Sequence, residues 1–219
     1  MPASPVPGHI RSLGLAFPRE VRVNAWWEER YPALVANERE ATLAKLWAGF
    51  RERSPAAGAG AGLAEPSIYD ECIAKYLDDP FRGTVERRVM SDGMNARDLS
   101  LAAARAALSA GGFGPGDIDL VLVHALRPDH HVVGDAAYTV RDLGLRAPAI
   151  DFETACSSAV VGFHLASDLI QAGRYRSILV IVCSTYTRDV DPADSFSWFL
   201  GDGAAAFVVE RAKPGFGLL

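Results

Sequence analysis

The amino-acid sequence predicts an α/β fold, because apolar strand segments alternate with helical segments along most of the chain. Residues Ile118 to Ala125 and Ser177 to Cys183 are almost continuously apolar, which is the pattern of strands buried on both faces of a parallel sheet. Segments with the apolar spacing of helices precede these runs and lie between them. Such alternation predicts a mostly parallel sheet with helices on both faces.

The N-terminal part of the chain is predicted to contain two strands that flank a helical insertion. Ile10 to Phe17 forms a short apolar strand closed by Pro18, and a further strand lies near Glu86 to Met90. The insertion between them covers about residues 24–83.

Within this insertion the sequence pattern changes twice. Residues 24–53 show helical apolar spacing, and Pro32 divides them into two helices. The Gly- and Ala-rich residues 54–62 fit no phosphate-binding motif and are interpreted as a flexible linker. A short helix is expected at Ser67 to Leu77.

The remaining elements follow one another in regular order. The last predicted helix has apolar side chains on more than one face, so we expect it to be buried. Glycines end the first and last of these helices. The predicted elements are helix Asp98 to Ala110, strand Ile118 to Ala125, helix Asp135 to Leu143, strand Pro148 to Phe152, helix Cys156 to Ala172, strand Ser177 to Cys183 and strand Ala204 to Glu210.

Cys156 is the strongest candidate functional residue, because it stands where a strand ends and a helix begins. A thiol in the first helical turn faces free backbone N–H groups and the positive end of the helix dipole, and both favour the thiolate. A thiolate there can attack an acyl thioester, and the same N–H groups can bind the oxyanion that forms. The flanking residues 154–159 are small and leave room for a ligand. The alternative interpretation is a buried structural cysteine.

Composition excludes several classes of protein. The chain has 219 residues and a net charge of −5 at pH 7, so it has no basic surface for nucleic acid. Its three cysteines are too few and too widely spaced for a disulfide framework or a zinc motif, which indicates a reducing compartment. No apolar run reaches membrane-spanning length and Met1 to Gly8 lacks a signal-peptide pattern, so we expect a cytoplasmic location and no membrane partner.

Four stretches of the sequence carry a family resemblance. They are Asp98 to Ala104, Gly116 to Val123, the segment around Cys156, and Gly201 to Ala206. In this order they resemble the thiolase-like superfamily and, within it, the β-ketoacyl-acyl-carrier-protein synthase III family. The segment Thr-Ala-Cys-Ser-Ser is more similar to elongating ketosynthases, whereas the other stretches favour the type III group.

This resemblance implies both a fold and a reaction. The family fold has two similar βαβαβαβ halves, of which residues 1–219 would supply the N-terminal half, with the C-terminal half absent. Cys156 would take an acyl group from a carrier-protein or CoA thioester. It would pass the group on by decarboxylative Claisen condensation with a malonyl thioester, in fatty-acid or polyketide biosynthesis. Two alternatives stay open: acyl transfer to a hydroxyl or amine, and a non-catalytic partner subunit of a split ketosynthase.

Other residues are assigned lesser roles beside the thiol. Trp198 and Phe199 are candidates for lining the acyl pocket, with core packing as the alternative. Gly201 to Ala204 is expected to form a tight turn packed near the elbow, the strand-to-helix connection at Cys156. Gly201, Asp202 and Gly203 are assigned a role in shape there rather than in chemistry.

The histidines of this chain are poor substitutes for the family's catalytic His and Asn, which the resemblance places in the C-terminal half. His124 ends a buried strand and is expected to be a satisfied core residue. His130 and His131 lack further ligands at metal-binding spacing, so no metal site is expected.

Acyl carrier protein is the partner that the resemblance implies. The helical insertion replaces the stretch with which type III relatives bind CoA. Asp194 stands where these relatives often have an Arg that contacts CoA, and a carboxylate repels the phosphate groups of CoA. Both departures favour a carrier-protein donor, and no cofactor beyond the thioester substrates is expected. We also expect a homodimer, with Ser177 to Cys183 and Asp135 to Leu143 at the contact, or a second chain that carries the C-terminal half.

Overall fold

The computed structural model describes residues 7–41, 72, 76, 79–91 and 93–213, which divide into two compact units. The first unit comprises the described residues within Met1–Glu20, Arg88–Asp189 and Gly201–Leu219, and the second comprises the described residues within Val21–Arg87 and Val190–Leu200. None of the helices in the described ranges is long and apolar enough to cross a membrane.

Between residues 86 and 185 the described elements alternate between strand and helix. The strands are β1 (Gly8–Ala16), β2 (Glu20–Val23), β3 (Glu86–Val89), β4 (Leu120–Ala125), β5 (Ala149–Asp151), β6 (Ser177–Thr185) and β7 (Asp202–Arg211). The helices are α1 (Asn24–Arg30), α2 (described over residues 32–41), α3 (Ala96–Gly111), α4 (Ala136–Leu143) and α5 (Ser158–Gln171). Short 3₁₀ turns cover Ala155–Ser157, Tyr186–Arg188 and Ser195–Phe199.

The first unit is built on a five-stranded sheet of order β1-β7-β6-β4-β5. Strand β4 runs parallel to both β5 and β6, whereas β7 runs antiparallel to β6 and to β1. The α/β prediction is confirmed, and the sheet is mixed, with its parallel part at one side. Parallel strands need a crossover helix between them, and β7 follows β6 without one, which is why it returns antiparallel.

Side-chain alternation along the strands produces two separate cores, one on each face of the sheet. Val121 and Val123 belong to the core that packs against α3, and Leu120 and Leu122 belong to the core that packs against α5. The prediction of helices on both faces is therefore confirmed.

Helix α3 shows how local sequence fixes an element. Asn95 accepts a hydrogen bond from the backbone N–H of Asp98 at 2.8 Å, and the Asp98 carboxylate accepts from the N–H of Asn95 at 3.2 Å, which makes a capping box. The helix ends at Gly111 and is capped by Gly112, whose φ of 73° lies in the left-handed region. Because Asn95 caps the helix, the helix begins at Ala96, two residues before the predicted start at Asp98.

Two predictions about exposure are corrected by the first unit. Helix α5 is buried on one face only: Val160 is 61% exposed, and Val161 and Leu165 are each 38% exposed, because the sheet covers only the opposite side. Strand β6, predicted to meet a dimer partner, pairs with β4 on one side and β7 on the other. The outermost strands of this sheet are β1 and β5.

The second unit contains an aromatic core. Trp27, Val35, Phe81 and Trp198 are buried in it together. The predicted division at Pro32 is confirmed, since α1 ends at Arg30 and helical structure resumes at position 32. The predicted linker at 54–62 and nearly all of the predicted helix at 67–77 lie outside the described residues, and the insertion over about 24–83 stays a prediction.

Candidate active site

Cys156 lies at a sharp connection between β5 and α5. The chain leaves β5 at Asp151 and forms the 3₁₀ turn Ala155–Ser157, and α5 begins at Ser158. Ala155 has a φ of 50°, the left-handed region that only a few per cent of non-glycine residues adopt. This backbone reversal turns the next side chain outward, and Cys156 is exposed. The strand-to-helix position is confirmed, with the thiol in a 3₁₀ turn just before the α-helix.

Short polar side chains hold this connection in place. The Thr154 backbone N–H donates to the Ser158 hydroxyl at 3.1 Å, and the Ser157 hydroxyl donates to the Thr154 carbonyl at 2.7 Å. The Ala155 N–H donates to the carboxylate of Glu153. Local side-chain bonds of this kind stabilise a non-helical backbone where residues 154 and 155 need one.

Tyr186 contacts the thiol and was missed by the sequence analysis. Its hydroxyl oxygen lies 3.5 Å from Cys156 Sγ, within hydrogen-bond range for sulfur. The hydrogen bond with Cys156 raises the pKa of Tyr186 above its usual value, and burial and the Glu153 charge act in the same direction. Tyr186 directly follows the carboxyl end of β6. Because the carboxyl ends of parallel strands meet at one edge of a sheet, this position in the sequence is the signal that could have identified Tyr186 as a neighbour of Cys156.

Asp202 fixes the turn that carries Tyr186. Its carboxylate is 3% exposed and accepts from the backbone N–H of Met90 at 2.7 Å, from the N–H of Thr187 at 3.0 Å, and from the Thr187 hydroxyl. Residue 187 lies within the 3₁₀ turn Tyr186–Arg188. The carboxylate therefore joins the start of β7 to the residue next to Tyr186.

The predicted tight turn at Gly201, Asp202 and Gly203 is wrong, because Asp202 and Gly203 begin strand β7 and pair with Thr185 and Ser184. Strand pairing with the long β6 satisfies their backbone groups and prevents a turn. A role in shape is retained by Gly203, where an added Cβ would lie 3.0 Å from the Phe17 ring.

His124 and Glu153 form a second polar feature beside the elbow. His124 on β4 is 3% exposed, and its Nδ1 lies 3.2 Å from Oε2 of Glu153 without the alignment of a hydrogen bond. The residue is buried as expected, but Nδ1 lacks the hydrogen-bond partner of a satisfied core group. His130 is a different case, since its Nδ1 lies 2.8 Å from Asp135 Oδ1 and its ring stacks on Tyr138.

A groove of about 470 Å³ lies at the carboxyl ends of β4 and β5. It is lined by Val123, Ala125, Leu126, Pro128, His131, Val132, Val133, Gly134, Asp151, Phe152 and Glu153. The lining reaches Glu153, three residues before the thiol. Among the residues described by the structure, no group of His, Cys, Asp and Glu side chains is arranged to hold a metal ion.

Trp198 and Phe199 lie in the second unit. Trp198 is fully buried, packs on Phe81 with ring centroids 4.6 Å apart, and accepts a hydrogen bond from Arg87 on its carbonyl. Phe199 is 39% exposed, with the Arg82 guanidinium 5.5 Å from its ring centre. Trp198 thus has the core packing given as the alternative, and the acyl-pocket role of both residues stays a prediction.

Solved structures of 3-oxoacyl-acyl-carrier-protein synthases III and of a priming β-ketosynthase share this fold. A 3-oxoacyl-(acyl-carrier-protein) synthase III superposes with a TM-score of 0.70 at 22% identity, covering 96% of this chain and 52% of that chain. The enzyme from Aquifex aeolicus gives 0.67 at 23% identity, covering 94% and 54%. The priming β-ketosynthase of the R1128 polyketide pathway gives 0.68 at 22% identity, covering 96% and 53%. The fold is therefore that of the thiolase-like class.

Sequence similarity narrows this class to one family. The family model for 3-oxoacyl-[acyl-carrier-protein] synthase III matches residues 150–219. The β-ketoacyl-[acyl-carrier-protein] synthase III of Caldanaerobacter subterraneus is 33% identical over 74% of this chain and 51% of its own length. That of Rhodospirillum centenum is 35% identical over 75% and 53%. About three quarters of the chain therefore match the β-ketoacyl-acyl-carrier-protein synthase III family in sequence, and the chain spans about half the length of the curated relatives it matches.

Proposed function

We propose that this chain carries the acyl-accepting nucleophile of a synthase III-type condensing enzyme of fatty-acid or polyketide biosynthesis. The observation that carries the proposal is the exposed thiol of Cys156, presented by the left-handed backbone of Ala155 between β5 and α5. Curated relatives that share this part of the sequence are named β-ketoacyl-[acyl-carrier-protein] synthase III.

The first half-reaction moves an acyl group onto Cys156. Sγ forms a bond to the carbonyl carbon of a carrier-protein or CoA thioester, and the bond from that carbon to the donor sulfur breaks. The donor leaves as a thiol with the proton that Cys156 gives up. Backbone N–H groups at the start of α5 are the donors available to the oxyanion that forms during this attack.

The second half-reaction releases the acyl group by condensation. A malonyl thioester loses carbon dioxide, and the electron pair left on its α-carbon forms a carbon–carbon bond with the acyl carbonyl. The bond to Sγ then breaks, and the Cys156 thiolate takes up a proton. No cofactor beyond the thioester substrates enters this scheme.

The proposal extends to partners and location. Acyl carrier protein is the proposed donor, and the exposed apolar side chains of Val160, Val161 and Leu165 on α5 support contact with a second copy or with a second chain that carries the remaining half. The net charge of −5 gives no support to nucleic acid as a partner. The three free cysteines support a reducing, cytoplasmic compartment.

Peptide mass spectrometry of the native protein, with any chain that copurifies, tests the first half-reaction. After incubation with acetyl-CoA or acetyl carrier protein, we expect the added acyl mass on the peptide that contains Cys156. The variant Cys156→Ala should lose this mass, and the control Cys72→Ser should keep it. If neither donor acylates Cys156, the proposal is wrong and a non-catalytic subunit becomes the better assignment.

The second half-reaction has its own readout. Malonyl carrier protein added to the acylated protein should release carbon dioxide and yield a β-ketoacyl product. Transfer of the acyl group to a hydroxyl or amine acceptor, with no release of carbon dioxide, would identify a plain acyltransferase instead.

A further inference from the structure

We propose that Tyr186 is a further catalytic residue, whose hydroxyl donates a hydrogen bond to Sγ of Cys156 and stabilises the anionic sulfur of the nucleophile. The proposal rests on the role of Cys156 proposed above, and it concerns how this chain activates that thiol. Tyr186 touches the reacting atom directly, since its oxygen lies 3.5 Å from Sγ.

The structure holds both partners of this contact in place. On one side, Thr187 is tied to the buried Asp202 through its backbone N–H and its hydroxyl. Arg188 in the same 3₁₀ turn donates to the carbonyl of Met94. The anchors on the two residues that follow Tyr186 restrict the positions available to its ring.

On the other side, the elbow fixes the sulfur. The backbone of residues 154 and 155 is held by the bonds to Ser158 and Glu153, so Cys156 leaves the chain in one direction. Two restrained groups lose less conformational entropy when they meet than two mobile side chains do, which favours a persistent contact.

The direction of the hydrogen bond follows from the two acidities. Hydrogen bonding to Cys156, burial and the Glu153 charge raise the pKa of Tyr186 above its usual value, so the phenol keeps its proton where cysteine thiols ionise. The phenol is then the donor and the sulfur the acceptor. The titratable groups around it are Cys156 and Glu153, with His124 3.2 Å from Glu153 on strand β4. A carboxylate disfavours a nearby thiolate, and the Tyr186 hydroxyl opposes that effect.

The hydroxyl matters when the sulfur is anionic. It stabilises the thiolate before acylation and again when condensation expels Sγ from the acyl group. A thioester sulfur is neutral and accepts hydrogen bonds weakly, so the bond is strong only in the free-thiolate states of the cycle.

Tyr186→Phe removes the hydroxyl and keeps the ring. Losing a hydrogen bond to a charged group corresponds to about tenfold less thiolate at a pH where most thiol is protonated. A less stabilised thiolate is intrinsically about threefold more nucleophilic, because nucleophilicity rises with thiol basicity. We therefore expect alkylation of Cys156 in the variant to be about threefold slower near pH 6 and about threefold faster near pH 10.

The experiment measures carbamidomethylation rates by iodoacetamide from about pH 6 to about pH 10, using peptide mass spectrometry. Tyr175→Phe, at the opposite end of β6, is the matched control and should leave the Cys156 profile unchanged. The exposed Cys72 serves as an internal reference thiol in every sample.

A crossing of the wild-type and Tyr186→Phe profiles supports the inference. Superimposed profiles overturn it, and so does an equal slowing at every pH, which would indicate altered access alone. Failure here is distinct from failure of the proposed function. If Cys156→Ala abolishes acylation while the Tyr186→Phe profile matches wild type, the nucleophile stands and only the role of Tyr186 falls.

Discussion

Replacement of Asp202 by Asn tests whether one buried carboxylate fixes the turn that carries Tyr186. Oδ1 accepts from the Thr187 N–H, and Oδ2 accepts from the Met90 N–H and the Thr187 hydroxyl. An amide keeps only one acceptor oxygen, and its NH₂ group can only donate. Whichever orientation the Asn side chain takes, one backbone N–H loses its acceptor and faces another donor.

The magnitude follows from burial and charge. Asp202 is 3% exposed, so water cannot replace the lost acceptor. A charged hydrogen bond contributes about 1.5–3 kcal/mol, and an unpaired buried donor costs about 1–3 kcal/mol, so we expect the free energy of unfolding to fall by about 2–4 kcal/mol. For a chain of this size that corresponds to a melting temperature lower by roughly 5–15 °C.

Thermal unfolding followed by circular dichroism measures this effect. Asp189→Asn is the control, because that carboxylate is 47% exposed in its ion pair with Arg127 and should change stability by about 0.5 kcal/mol or less. A melting temperature for Asp202→Asn within about 2 °C of wild type would refute the reasoning.

Two further predictions concern the core. Gly14→Ala would place a Cβ 2.2 Å from the Ala103 carbonyl oxygen, and backbone cannot move aside as a flexible side chain can. We therefore expect the free energy of unfolding, measured by chemical denaturation, to fall by about 3 kcal/mol or more. The control Gly116→Ala has open space around its Cβ and should stay within about 0.5 kcal/mol of wild type, so equal denaturation midpoints for the two variants would contradict the packing. Burial raises the pKa of Cys183 to about 12, so iodoacetamide near pH 9 should modify Cys72 and spare Cys183 in the folded protein, as peptide mass spectrometry can check. The unfolded thiol ionises from about pH 8.5, below the folded value, so Cys183 should make the free energy of unfolding fall as pH rises through this window, a contribution that Cys183→Ala lacks.

The alternation of strands and helices could be predicted because each element carries its own periodic signal. The runs at 118–125 and 177–183 became β4 and β6, and the helix near residue 98 became α3. The direction of β7 carries no such signal. It depends on whether the connection after β6 contains a crossover helix, and residues 186–201 supply only short 3₁₀ turns.

Exposure on α5 could not be predicted for a similar reason. Apolar residues on several faces indicate that a helix meets apolar surroundings, but they do not say whether the same chain supplies them. In this chain the sheet covers Gly162, Ala166 and Ile170, while Val160 stays exposed. The described elements therefore cover only part of the apolar surface that the sequence of α5 presents.

The position of Cys156 was predictable, whereas its immediate environment was not. A cysteine between a strand and a helix is visible in sequence, but the left-handed conformation of Ala155 is not, because alanine carries no preference for positive φ. The contact between Cys156 and Tyr186 forms because β5 and β6 both run parallel to β4, which brings their carboxyl ends to the same edge of the sheet. The contact therefore depends on the arrangement of the strands and not on a local sequence pattern.

The dependence of the site on sheet order links stability to chemistry. Asp202 belongs to β7, Tyr186 follows β6, and Cys156 follows β5, so the contact at the thiol joins segments from across the sheet. If Asp202 acts on the thiol only through the turn of Tyr186, then Asp202→Asn and Tyr186→Phe remove the same interaction. Their effects on the alkylation of Cys156 near pH 6 should then be non-additive, with the double variant no slower than the more affected single variant. Additive slowing would mean that Asp202 influences the thiol by a route other than Tyr186.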